Sequence, residues 1–181
     1  MDGIKNMMEA LKVTRTELQG SEKQSNFDDL MDADGKEEAK RVTAVCVRAG
    51  YIMDAIGIVD EAGKKHYHGN PKGGSETVIP LENDHIKAIC GDFGISYMGQ
   101  AISNLTIETA GGKTYGPFGT GKSGKKFCLT IPEDADFAGF YGNADKNIVK
   151  SLGLICCEGG ADLLKNMLGG SAGSGFPGFG G

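Results

Sequence analysis

Residues 103–118, SNLTIETAGGKTYGPF, carry the clearest strand signal in the chain. Leu105, Thr106, Ile107, Glu108 and Thr109 alternate apolar and polar, the period of a half-buried strand. Ala110-Gly111-Gly112-Lys113 then supplies a turn whose glycines accept positive φ. Thr114-Tyr115 restarts the extended pattern, and Gly116-Pro117-Phe118-Gly119 stops it. The stretch predicts a β-hairpin with a sharp end.

The same strand–loop–strand unit recurs on both sides. Val45-Cys46-Val47 leads through Gly50-Tyr51-Ile52-Met53-Asp54 to Ala55-Ile56-Gly57-Ile58. Ala88-Ile89-Cys90-Gly91 leads through a longer loop to Asn104-Leu105-Thr106-Ile107. Ala138-Gly139-Phe140-Tyr141-Gly142 leads through residues 143–150 to Ser151-Leu152-Gly153-Leu154. Ile56, Leu105 and Leu152 lie about 48 residues apart, a period that implies equivalent units packed together. No helix-period segment interrupts them, so the pattern predicts an all-β fold.

The YGPFG ending of the 103–118 hairpin and the later segment GKKFCLTIPEDADFAGFYG resemble the jacalin-related lectins, and the likeness runs from about Arg41 to about Cys156. The resemblance implies a jacalin-type β-prism over 41–157. Three four-stranded Greek-key sheets would be related by pseudo-threefold symmetry, with Ile, Leu, Val and Phe filling the middle. Family members begin with a glycine-rich stretch followed by a short acidic strand. Asn26-Phe27-Asp28-Asp29 stands for the second part, but the preceding SEKQS is not glycine-rich. Either this strand lacks its usual loop or another segment supplies it.

The ends read differently. Ile4, Met7, Met8, Leu11 and Leu18 fall on one face at helical spacing, so 1–20 is expected to be an amphipathic helix ending at Gly20. It would pack on its own domain or dock on a protein partner, a use that suits Met-rich faces. Residues 21–40 read as an acidic linker or the first strand. Asp32-Ala33-Asp34-Gly35 fails as a calcium loop, because Leu30 and Arg41 would occupy ligand positions one and twelve. In 158–181, Ala161 to Leu168 reads as a short helix. Gly169 to Gly181, GGSAGSGFPGFGG, is a flexible low-complexity tail whose Phe176 and Phe179 would serve as stickers for a partner.

Composition bounds the function. Hydrophobic residues make up 39% of the chain, enough for a core, and the net charge of −5 gives a nucleic-acid role no support. No apolar run is long enough to span a membrane. The N-terminus lacks the apolar core of a secretory signal, so the expected location is the cytoplasm, with membership of a larger intracellular assembly open. Cys46, Cys90, Cys128, Cys156 and Cys157 have no framework spacing and read as reduced core thiols. Of the adjacent pair 156–157, one is expected buried and one exposed.

Sugar recognition needs acceptors and donors at hydroxyl spacing. A carboxylate accepts from two adjacent hydroxyls, and glycine removes the Cβ that would block approach. The resemblance implies that a Gly-x-x-x-Asp loop facing a Gly-Gly loop forms such a site. Gly50-Tyr51-Ile52-Met53-Asp54 fits the first, and Gly73-Gly74 in the 69–74 loop fits the second. Asp54 would accept, and the backbone of Tyr51, Ile52 and Met53 would donate. The plainer alternative is that Asp54 caps the turn and the glycines make a hairpin.

The family's principal site lies in the third repeat. There Gly142 matches the opening glycine, but Lys150 stands where the aspartate belongs, and lysine only donates. Asp145 or Asn147 would have to substitute. The second repeat, Gly91 to Gln100, has no such aspartate and is expected to be silent.

Gly116–Ser123 also satisfies the G-x-x-x-x-G-K-S phosphate-loop pattern. That pattern works only ahead of a helix, and Phe127, Leu129 and Ile131 alternate like a strand. His66 and His68 share a strand face with no convergent metal ligand and read as surface residues. No cofactor is expected and no catalytic constellation is spaced for chemistry, so the protein is expected not to be an enzyme. Two readings stand: a lectin for mannose-type or glucose-type sugars, and a structural interaction module with a degenerate sugar site that docks through 1–20 and 169–181. A homo-oligomer is compatible with either.

Overall fold

The computed structural model describes residues 12–158 apart from Ala33 and Ser123. It has thirteen strands: β1 (Val13–Arg15), β2 (Gln19–Gly20), β3 (Phe27–Asp28), β4 (Ala44–Ala49), β5 (Met53–Val59), β6 (Lys65–Gly69), β7 (Ser75–Pro80), β8 (Ile86–Ser96), β9 (Gly99–Thr109), β10 (Thr114–Phe118), β11 (Lys125–Thr130), β12 (Ala135–Ala144) and β13 (Val149–Glu158). All pairing between them is antiparallel. No helix occurs among the described residues.

Three sheets form, ordered β6-β5-β4-β7, β10-β9-β8-β11 and β1-β13-β12-β3. In the first two, a central hairpin is flanked by the strands that follow it, a Greek key. In the third, the central hairpin β12–β13 comes last, and the chain's beginning supplies both flanks. β1 and β2 pair in succession along one edge of β13, so this sheet too is four strands wide. Between them Thr16 keeps the ladder going: its N–H donates to the Leu154 carbonyl, and its hydroxyl accepts from the Leu154 N–H, both at 2.9 Å.

The expected helix over 1–20 is therefore corrected in its second half. Residues 13–15 and 19–20 are strands, and residues 1–11 lie outside the described residues. Val13, Thr14 and Thr16 suit a pleated surface, and a partly covered edge of β13 outweighs the apolar spacing that read as helix. The segment that completes the prism is thus 13–28. Residues 21–40 are not a solvated linker either. Leu30 is buried and packs with Val13 and Ala39 against Ile155 on the outer side of the third sheet. Asp32 caps a small turn, its Oδ1 accepting from the N–H groups of Asp34 and Lys36 at 2.9 Å. The expected short helix and tail of 159–181 lie outside the described residues, and Glu158 ends β13.

The repeat anchors Ile56, Leu105 and Leu152 are fully buried in one core that draws on all three sheets. Phe137 and Phe140 meet edge to face within it, ring centres 4.9 Å apart. A second cluster of Ile52, Ala101 and Ile148 joins the three repeats at one end of the prism. Each of these lies four residues before its anchor, so the pseudo-threefold relation extends into the loops.

Cys46, Cys156 and Cys157 are buried thiols, and burial pushes those of Cys46 and Cys156 up to about 11. Cys157 is covered like Cys156, because β13 has packing on both faces. Cys90 and Cys128 depart from the reading as reduced thiols. They lie opposite one another across β8 and β11, Cα atoms 4.0 Å apart, and are disulfide-bonded.

Candidate functional site

In the first repeat, a tight turn joins β4 to β5. The Gly50 N–H donates to the Ile52 carbonyl at 3.1 Å. Ile52 and Met53 are buried, so their side chains hold the turn from beneath rather than line a surface. From the second sheet, the N–H groups of Thr120 and Gly121 donate to the Tyr51 carbonyl at 3.1 and 2.9 Å. Tyr51 is exposed and Asp54 is half-buried.

The loop from β6 to β7 closes over Asp54. The Asn70 N–H donates to the Asp54 carbonyl at 2.8 Å, and the Gly73 N–H to the Asn70 carbonyl at 3.2 Å. A Cβ on Gly74 would sit 2.6 Å from Asp54 Oδ2 and 2.4 Å from the Ala49 carbonyl carbon, and the Gly74 φ of +57° already disfavours a side chain. A Cβ on Gly73 would meet the Asp54 Cβ at 2.9 Å. Only glycines let this backbone lie against the carboxylate. Gly50, Asp54, Gly73 and Gly74 are thus brought together.

Arg48 was not legible as part of this arrangement. Its Nε donates to the Gly73 carbonyl at 2.7 Å and a terminal nitrogen to the Gly74 carbonyl at 3.3 Å, while the other lies 3.4 Å from Glu76. The guanidinium fixes the glycine carbonyls from behind. The signal lies in the register that sets Arg48 opposite Glu76, which pairing reveals and spacing does not. Burial raises the Asp54 carboxyl above its ordinary range, against the opposing pull of the Gly50 backbone and the Arg48 charge.

The third repeat is occupied by the protein's own contacts. Asp145 Oδ1 accepts from the N–H groups of Asn147 and Ile148 at 2.7 and 3.0 Å, and Lys150 lies 3.5 Å from Asp145 Oδ2. Those turn bonds and Lys150 hold the Asp145 carboxyl below its ordinary value despite burial, which acts the other way. Opposite Gly142, where a Gly-Gly loop would stand, lies 21–26. Asn26 exchanges two hydrogen bonds with Ala144, Asn143 donates to the Gln24 carbonyl, and Ser151 bonds both backbone groups of Glu22.

The second repeat has no long loop. β8 and β9 run as eleven-residue strands to a turn at Tyr97-Met98, with Ser96 bonded to Gly99 and Met98. The alternation Phe93, Ile95, Tyr97 is the period-two signal for this arm. The element that follows the phosphate-loop pattern is strand β11, not the helix the pattern needs, and Lys126 lies 3.5 Å from Asp92. His66 and His68 are not plain surface residues. Each is half-buried and bonded to a carboxylate, His66 to Asp60 at 2.8 Å and His68 to Asp29 at 2.6 Å.

Comparison with known proteins agrees with this architecture. The chain matches the jacalin-like lectin domain over residues 16–155, most of its length. No curated protein sequence matches it. Among solved structures it is similar to Malaysian banana lectin, at 22% identity with a TM-score of 0.63, covering 81% of this chain and 99% of that one. A mannose-binding jacalin-related lectin from Ananas comosus aligns at 23% identity and TM-score 0.63, over 81% and 98% of the two chains. A mannose-specific jacalin-related lectin from Morus nigra, solved with mannose, aligns at 22% identity and TM-score 0.64, over 81% and 95%. With a matching family model over most of the chain and the three-sheet prism those lectins share, this protein belongs to the jacalin-like lectin family.

Proposed function

We propose that the protein binds carbohydrate of the mannose or glucose type, and that the site is the first-repeat pair of Gly50–Asp54 and Gly73–Gly74. The supporting observation is the packing of Gly73 and Gly74 against the Asp54 carboxylate, which sets an acceptor beside backbone that carries no side chains of its own. Asp54 would accept from two neighbouring hydroxyls, and turn amides would donate to the sugar. The mannose-binding character of the similar lectins from Ananas comosus and Morus nigra guides the choice of sugar. Calorimetric titration with methyl-mannoside and methyl-glucoside is the test, reaching a Kd of about 1 mM, or about −4 kcal/mol. Saturable heat with either sugar supports the reading, and none with either refutes it.

Two outcomes follow from the environment of Asp54. Its ionised form is the acceptor, and burial raises its carboxyl above the ordinary aspartate value. Affinity is therefore expected to fall on acidification with a midpoint above that value, read from titrations across a pH series. Arg48→Ala removes the clamp on the Gly73 and Gly74 carbonyls. It is expected to weaken sugar binding by roughly tenfold, the worth of about 1.4 kcal/mol lost from a charged hydrogen bond, with the secondary structure unchanged by circular dichroism.

The second reading, a scaffold docking through its ends, is favoured by the self-occupied third repeat. Deleting 1–20 would strip β1 and β2, so the clean test removes 1–11 or 169–181. Loss of a co-purifying partner in either deletion would support the scaffold.

A further inference from the structure

The bonded cysteines differ from the others in where they lie. Cys128 is exposed and Cys90 half-buried, whereas Cys46, Cys156 and Cys157 are buried. Phe127 and Leu129 of β11 point into the core, so by alternation Lys126 and Cys128 point outward from the second sheet. β11 ends the strand order β10-β9-β8-β11, which leaves an open sheet edge beyond Cys128. On its inner side Cys90 lines a cavity of about 650 Å3. Gly119, Gly121 and Lys122, from the loop with the phosphate-loop pattern, form one wall, and Lys126 belongs to another. Both lysines are exposed. The carboxylate inside is the buried Asp92, whose Oδ2 accepts from Asn104 Nδ2 at 3.1 Å.

We propose that Cys90–Cys128 is a thiol–disulfide exchange site, opened at Cys128 by an anionic low-molecular-weight thiol. The proposal is independent of the carbohydrate reading. Exchange needs in-line attack on one sulfur from the side away from the other. For Cys128 that side is the open edge. The thiolate of the small thiol bonds to Cys128 Sγ, and the Cys90 sulfur leaves with the electron pair into the cavity that holds Lys122 and Lys126. A second thiolate then attacks the small thiol's sulfur in the mixed disulfide and releases Cys128. The small thiol is oxidised to its own disulfide, the protein pair is reduced, and the two thiol protons end on Cys90 and Cys128. Three observations carry the assignment. The bond is exposed, and exposed disulfides are the labile ones. Lys122 and Lys126 draw in an anionic thiol and steady the departing thiolate. The fold does not hang on the bond, because six consecutive residue pairs from Lys125–Phe93 to Thr130–Ala88 hold β11 on β8. The pair can therefore open with β11 in place.

The experiment incubates the full chain in mixtures of reduced and oxidised glutathione, a thiol of net negative charge. Samples are quenched with acid, alkylated and read at each cysteine by peptide mass spectrometry. Wild type, Cys90→Ser, Cys128→Ser and Lys126→Gln are compared, each checked for its fold by circular dichroism. Wild type is expected to pass from the bonded to the reduced pair as the reduced share rises, with its circular dichroism unchanged. Cys90→Ser is expected to accumulate a glutathione adduct on Cys128, and Cys128→Ser far less on Cys90. Lys126→Gln is expected to slow reduction by glutathione roughly threefold and to leave the rate with neutral 2-mercaptoethanol unchanged. A pair that stays bonded until the chain unfolds would make the disulfide purely structural and overturn the proposal. A pair that stays reduced in oxidised glutathione would overturn it too, as would equal adducts on the two cysteines. No slowing in Lys126→Gln, or the same slowing with both thiols, would overturn the preference for an anionic thiol.

Discussion

Asp54→Ala is expected to take sugar binding below detection while the protein keeps its fold and its melting temperature. A hydrogen bond to a charged group contributes about 1.5–3 kcal/mol. Two from one carboxylate amount to about 3–6 kcal/mol, against about −4 kcal/mol for a millimolar complex. The site cannot lose both and still register.

The stability half of this expectation follows from the sign of the Asp54 shift. Burial raises its carboxyl in the folded state. The folded protein therefore holds that proton more tightly than the unfolded chain, and stability is lost as pH rises through the raised value. At neutral pH the ionised group is a small burden on the fold, so its removal is neutral or mildly stabilising. That is the pattern of a residue kept for function. Titration and thermal melts on the same preparation check both halves.

Asp29→Ala is expected to have the opposite profile, with a large loss of stability. Asp29 is 2% exposed. Its Oδ2 accepts from the Phe140 N–H at 2.8 Å inside the third sheet, and its Oδ1 is bonded to His68 of the first at 2.6 Å. His68 in turn stacks on Phe27, ring centres 3.9 Å apart. This carboxylate ties two faces of the prism together, and Gly139 makes room for it, since a Cβ there would lie 2.8 Å from the Asp29 Cβ. Alanine leaves a buried N–H and an imidazole without their acceptor, at a cost of about 3–5 kcal/mol. With roughly 2–4 °C per kcal/mol at this size, the melting temperature is expected to fall by about 6–20 °C. His68→Ala leaves the Phe140 N–H satisfied and is expected to cost less. Equal losses in the two variants would contradict this assignment of roles.

What the sequence made legible was periodic or glycine-marked. Ile56, Leu105 and Leu152 announced three units, and each is fully buried. Gly50–Asp54 and Gly73–Gly74 could be paired because close backbone approach demands glycine. The features missed are short or non-local. β1 and β2 have three and two residues, too few to show a period of two, and their strand character comes from β13, with Val13 opposite Cys157. Leu30 sat in an acidic stretch, and its burial depends on Ile155 in the last strand. Arg48 and Asp29 are charged residues whose roles exist only after strands pair. The β8–β9 arm is a different case. Its alternation stands in Phe93, Ile95 and Tyr97, but Gly91, Gly94 and Gly99 interrupt it and read as loop.

The most direct test of the central claim is to follow backbone amide NMR shifts while methyl-mannoside is added. The account expects the largest movements at Gly50, Tyr51, Asp54, Gly73 and Gly74, fading in Asp54→Ala. Movements centred on Asn143 to Lys150 with the first-repeat loop unmoved would contradict it and return the sugar to the third repeat.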